Sequence, residues 1–176
     1  MRTVLWMVGL VVGLAMAQAP DPTKFAFSEE KASFIVQPWE YLRIGMGSLV
    51  LTVPSGAFGR DPVRFELLSG DPKAWQEWVP KGQKVLLAFA FRVTDLKTNQ
   101  RILQFAQPLH VSFYSQAIDP QAQYLDVTFT NPPTVTPNSI KPKIEVFRLG
   151  SRHRTGRLSH PIGGAGVGWL VTVPER

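Results

Sequence analysis

The sequence predicts an all-β protein, an antiparallel β-sandwich with one short helix near residues 72–79. Three observations carry that prediction. Apolar residues recur at every second position in many short runs, which places each set on one face of a pleated strand. Turn-formers are abundant, with 14 Gly and 15 Pro, while charged residues are only 18% of the chain. A chain of 176 residues that is 44% apolar is long enough for one domain with a sizeable core.

The N-terminus reads as an export signal. Arg2 precedes the apolar run Val4 to Leu14, and Ala15-Met16-Ala17 supplies a small-residue cleavage site. The run is shorter than the ~20 residues that cross a bilayer, and no basic stop-transfer cluster follows it. The expected division is therefore a signal peptide over 1–17, an N-terminal leader and first strand over 18–44, and a β-sandwich domain over 45–176. The destination is the cell envelope, the periplasm or the exterior, with no transmembrane span once the signal is removed. Gln18 to Thr23 carries two prolines and reads as a frayed leader.

The strands follow in order. Leu49, Leu51 and Val53 alternate with Ser48, Val50 and Thr52, and Val53-Pro54-Ser55-Gly56 marks a turn. Val63, Phe65 and Leu67 form the next set. Asp71 can cap a helix opened by Pro72 and stopped by Pro80, a segment so short that it needs Trp75 or Trp78 as a packing anchor. The longest run puts Val85, Leu87, Phe89, Phe91 and Val93 on one face. Its other face is also fairly apolar, so this strand belongs in the middle of a sheet. Leu109, Val111 and Phe113 come next, then Leu125, Val127 and Phe129. A loop with four prolines runs from Asn131 to Pro142. Ile144 and Val146, then Trp169, Val171 and Val173, complete the set. The expected core includes Leu51, Phe65, Phe89, Phe91, Val111, Phe113, Val127, Phe129 and Trp169.

Gly47-Ser48-Leu49 through Val53-Pro54-Ser55-Gly56-Ala57-Phe58, a strand opened by G-x-L and closed by V-P-x-G-A, resembles the start of a ZU5 domain. Pro108-Leu109-His110-Val111 is similar to a later strand of that module, and His160 through Trp169-Leu170-Val171 to its close. The likeness spans about Gly45 to Val173. It implies a secreted, bacterial-type β-sandwich that binds another macromolecule without catalysis. Some ZU5 modules cut themselves at a His-Phe-Ser triplet. The matching triplet here is His110-Val111-Ser112, which departs at its middle residue.

The chemistry-bearing residues narrow the function. There is no cysteine, so no disulfide, thiolate metal site or thiol nucleophile can form. The G-x-S-x-G, G-x-x-x-x-G-K and H-E-x-x-H signatures are missing. Gly163-Gly164-Ala165-Gly166-Val167-Gly168 leads into a strand rather than a helix, so it reads as a turn and not as a phosphate cradle. His110, His153 and His160 lack the spacing and carboxylate company of a metal site. No cofactor or metal is expected, and no catalytic residue is assigned.

Charge is the informative feature. Lys141, Lys143, Arg148, Arg152, Arg154 and Arg157 are opposed only by Glu145, a net +5 in 17 residues. The other residues beyond position 17 hold twelve basic and twelve acidic side chains, so this segment carries the whole excess. Gly150 and Gly156 flank its densest part, which reads as a hairpin tip or loop. Arg148, Arg152, Arg154 and Arg157 are therefore the candidate binding residues, because guanidinium forks match phosphate, sulfate and carboxylate. The expected partner is an acidic envelope polymer or an acidic protein. Specific nucleic acid recognition is not expected, since no recognition helix or set of stacking aromatics accompanies the arginines. The alternative function is an enzyme, either self-processing or acting on an envelope polymer.

Overall fold

Alternation along the chain builds two antiparallel sheets that face each other in a computed structural model describing residues 21–128, 143–147, 152–154 and 156–175. The segment 1–17 that reads as an export signal, Phe129, the proline-rich loop and Arg148 lie outside these residues. One sheet has six strands in the order β1 (Glu29–Val36), β4 (Val63–Gly70), β5 (Gln83–Asp95), β11 (Gly168–Pro174), β7 (Gln123–Thr128) and β8 (Lys143–Phe147). The other has five, in the order β2 (Leu42–Met46), β3 (Leu49–Val53), β6 (Gln104–Tyr114), β10 (Arg157–Gly164) and β9 (Arg152–Arg154). This is the all-β sandwich that the period-two pattern predicts. The strand with two apolar faces, β5, sits inside the six-stranded sheet between β4 and β11.

The space between the sheets is filled by Leu49, Leu51, Val53, Phe65, Phe89, Phe91, Leu109, Val111, Phe113, Leu158, Trp169 and Val171, all buried. Its centre is aromatic. The Phe89 ring lies 5.7 Å from Trp169 and from Phe91, and Phe91 lies 5.4 Å from Phe65. Tyr124 closes one side of this group, donating its hydroxyl to the Leu158 carbonyl at 3.2 Å.

A second apolar cluster lies on the outer face of the six-stranded sheet. Leu68, Val85, Ala88, Ala90, Leu125, Val127 and Leu170 form its floor, and Phe27, Trp75 and Val79 cover them. Val127 is therefore buried as expected, but in this outer cluster, because Tyr124 takes the inward parity of β7. Val85 also changes side. A register shift between Val171 and Thr172 skips Leu86 on β5, so Val85 leaves the face that Leu87 and Phe89 share.

The cover is made by two short segments. Helix α1 (Pro72–Trp75) continues as a 3₁₀ turn over Gln76–Trp78. Asp71 caps it by accepting from the Lys73 amide at 2.9 Å. Gln76 fastens it to β5, donating to the Gln83 carbonyl at 2.6 Å and accepting from the Val85 amide at 3.0 Å. The other segment corrects the expectation of a frayed leader. Pro22–Phe25 is a 3₁₀ turn capped by Asp21, and Phe27 beyond it is fully buried, stacked 4.9 Å from Trp75. Asp21 also approaches Arg92 at 3.6 Å, whose guanidinium forms a two-point pair with Glu66, one bond being 2.7 Å. Strands β1 and β2 begin before Gly45, one in each sheet, so residues 29–46 are built into the sandwich.

Candidate functional site

Sheet register decides where the candidate arginines fall. On the five-stranded sheet Leu49, Leu51, Val53, Leu109, Val111, Phe113 and Leu158 point into the core. Their neighbours in sequence consequently form the outer face. Three rows cross that face. Arg43 pairs with Thr52, Thr52 with His110, and His110 with Pro161. Gly45, Val50, Ser112, Ser159 and Arg152 make the second row. Tyr114, Arg157 and Arg154 make the third.

Of the four candidate arginines, three are thus brought to one edge of one sheet. Arg152 and Arg154 lie on β9, a short strand where sequence reasoning also allowed a loop. β9 and β10 form a tight hairpin turned at Gly156, whose φ of 73° is in the left-handed region that favours glycine. Arg148 lies outside the described residues. Arg157 is held in place by its neighbours. Its guanidinium carbon sits 5.5 Å from the centroid of the Tyr114 ring, and Nη2 donates to Ser112 Oγ at 3.0 Å. Ser112 and Ser159 share a further hydroxyl contact at 3.1 Å. The Arg157 guanidinium is therefore preorganised rather than free.

The sequences of the five strands contain no Asp or Glu, while they contain Arg43, Arg152, Arg154 and Arg157. The six-stranded sheet holds Glu29, Glu30, Glu66, Asp95, Asp126 and Glu145, together with Lys31, Arg64, Lys84, Arg92 and Lys143. Among the strand residues, acidic side chains are therefore confined to one layer, whereas basic ones occur in both. Arg43 joins the basic face from a strand more than 100 residues earlier in the chain, about three strand spacings or ~14 Å across the sheet from β10. Linear charge counting could not find it, because only the register brings β2 and β10 into one layer.

The self-cleavage triplet lies on this same sheet. His110 is exposed, and the Ser112 hydroxyl is engaged by Ser159 and Arg157. Among the described residues no group of three or more His, Cys, Asp or Glu side chains is placed to hold a metal ion.

A different kind of site opens at the end of the sandwich where β10 crosses to β11. A cleft of about 310 Å³ is lined there by Asp126, His160, Trp169 and the glycine-rich segment Gly163 to Gly166. Burial holds the His160 imidazole below its ordinary pKa of 6.5. Sequence reasoning weighed His160 as a metal ligand and as part of the ZU5-like close, and did not single out Asp126. Both lie on the inward parity of their strands, with Tyr124 and Leu158, which becomes legible only once the strands are assigned to layers. Comparison of the chain with protein families and with curated proteins finds no match to either.

Proposed function

We propose that this chain is an exported, non-enzymatic β-sandwich module that binds an acidic envelope polymer through the outer face of its five-stranded sheet. The observation that carries the reading is the complete lack of acidic residues in those five strands, alongside four arginines. A rigid sheet presents such groups with little ordering cost, and guanidinium forks suit carboxylate, sulfate or phosphate. The signal-like start at residues 1–17 and the ZU5-like turns are in keeping with a secreted binding module.

Retention on an immobilised polyuronate, measured against salt, tests the reading. Exposed arginines facing a polyanion act largely through counterion displacement and screened attraction, so retention should fall as salt rises. Replacing Arg152, Arg154 and Arg157 together by Ser should shift elution to lower salt. Replacing Lys81, Lys84 and Lys97 removes equal charge elsewhere and should shift it less. Equal shifts would mean that bulk charge alone is responsible. For export, N-terminal sequencing of native protein should begin at Gln18, and recovery of Met1 in washed membranes would count against it.

A further inference from the structure

Inward positions of a β-sandwich are normally apolar, and Asp126 and His160 depart from that rule. On β7 the inward parity runs from Tyr124 to Asp126, and the register partner of Asp126 on β11 is Trp169. On β10 it runs from Leu158 through His160 to Ile162. The His160 ring lies 5.5 Å from the Tyr124 ring, so β10 presents its imidazole to β7 across the gap between the sheets. An acid and an imidazole thus both line the mouth of the core, where the cleft opens.

The glycine-rich crossover keeps this mouth accessible. A Cβ at Gly166 would stand 3.5 Å from Asp126 Oδ1 and 4.0 Å from Trp169 Cζ2. A longer side chain there would occupy the approach to both groups. The neighbouring Gly164 packs against the Leu103 carbonyl, which has no room for a Cβ, and the Ala165 amide donates to the same carbonyl at 2.9 Å. That contact fixes the path of the crossover. The sequence therefore uses glycine at one position for backbone approach and at the other where space is left open.

We propose that this cleft binds a single uncharged hydroxylated ring, such as one pyranose unit of a glycan, with Asp126 and His160 as its polar contacts and Trp169 as its apolar one. A volume of about 310 Å³ is at the small end of ligand sites and fits one ring rather than a chain. A carboxylate accepts hydrogen bonds from hydroxyls. A neutral imidazole offers one donor and one acceptor, and a hydroxyl can answer both, whereas an ammonium has donors only. The Nδ1 of His160 is enclosed and has no hydrogen-bond partner among the described residues, which leaves Nε2 as the nitrogen to meet a ligand. An anionic ring would meet the charge of Asp126. The cleft is separate from the basic face, because Arg157 and His160 have opposite parity on β10.

Nuclear magnetic resonance titration of the full-length chain with methyl glucopyranoside tests the proposal without involving the basic face. The Trp169 indole and His160 ring signals should shift and saturate. Asp126→Asn and His160→Phe should each weaken binding about tenfold or more, and Gly166→Leu should block it while the melting temperature stays close to that of the parent chain. Should Asp126→Asn fail to fold, His160→Phe and Gly166→Leu still decide the matter. Absence of saturation, saturation by methylammonium in place of the pyranoside, or unchanged binding by Gly166→Leu would each overturn the assignment.

Discussion

The Arg157 guanidinium lies over the Tyr114 ring, 5.5 Å from its centroid, while the same side chain donates to Ser112. Stacking and hydrogen bonding together aim a planar cation along a fixed direction. Arg157→Lys keeps the charge but loses both the fork and much of the stacking. Retention on a polyuronate should drop for this variant even though net charge is unchanged. Thermal unfolding should register a loss of no more than about 1 kcal/mol, the scale of an exposed cation–π contact. Retention equal to that of the parent would mean that charge alone matters.

Phe89 is fully buried and touches the rings of Phe91, Tyr124 and Trp169. Phe89→Ala should cost about 3–5 kcal/mol in chemical denaturation, combining lost transfer energy with a cavity. A negligible loss would mean that this ring is not central to the core.

Gly168 sits beneath the Phe27 ring so closely that a Cβ would collide with it. Gly168→Ala should therefore displace Phe27 from its stack on Trp75, lowering stability and changing near-ultraviolet circular dichroism. Adding Phe27→Leu should recover part of the loss, because the smaller side chain yields space. Additive losses in the double variant would mean that the two sites are not in contact.

His160 is held below its ordinary pKa of 6.5 by burial, so folding opposes its protonation. The native state binds the proton less readily than the unfolded chain does. Stability from this group is complete above pH 6.5 and is lost as pH falls through the folded pKa. Denaturation midpoints measured from pH 7.5 downward should decline, and His160→Phe should flatten that decline. Asp21 and Asp95 also have lowered pKa values, but their ordinary value is 3.8, so their loss belongs to more acidic solutions. An unchanged slope in His160→Phe would assign the decline elsewhere.

Much of the fold was legible because strand parity is local. The alternation around Leu51, Phe65, Phe89 and Val111 depends only on neighbours two positions away, and each of these residues is buried. The short helix was legible from Asp71, Pro72 and Pro80 for the same reason. The outer cluster was not. Nothing local to Phe27 announces that it will cover Trp75, about fifty residues later, and the leader looked frayed in consequence. The Leu86 bulge likewise depends on how β11 registers against β5, which is a property of two distant segments. The basic edge could be read from spacing, whereas Arg43 and the Asp126–His160 mouth required knowing which strands share a layer. Parity errors of this kind are informative, because a polar residue on an inward position marks a place where packing alone does not explain the choice.

The position of β11 has a consequence for synthesis. This strand, the last in chain order, lies between β5 and β7 in the interior of the six-stranded sheet. Until Gly168–Pro174 has left the ribosome, both flanking strands present unpaired edges and the aromatic centre lacks Trp169. Most pairings in the sheet join distant segments, so closure is expected to be slow as well as late. The middle of this sheet therefore stays open until β11 has been made.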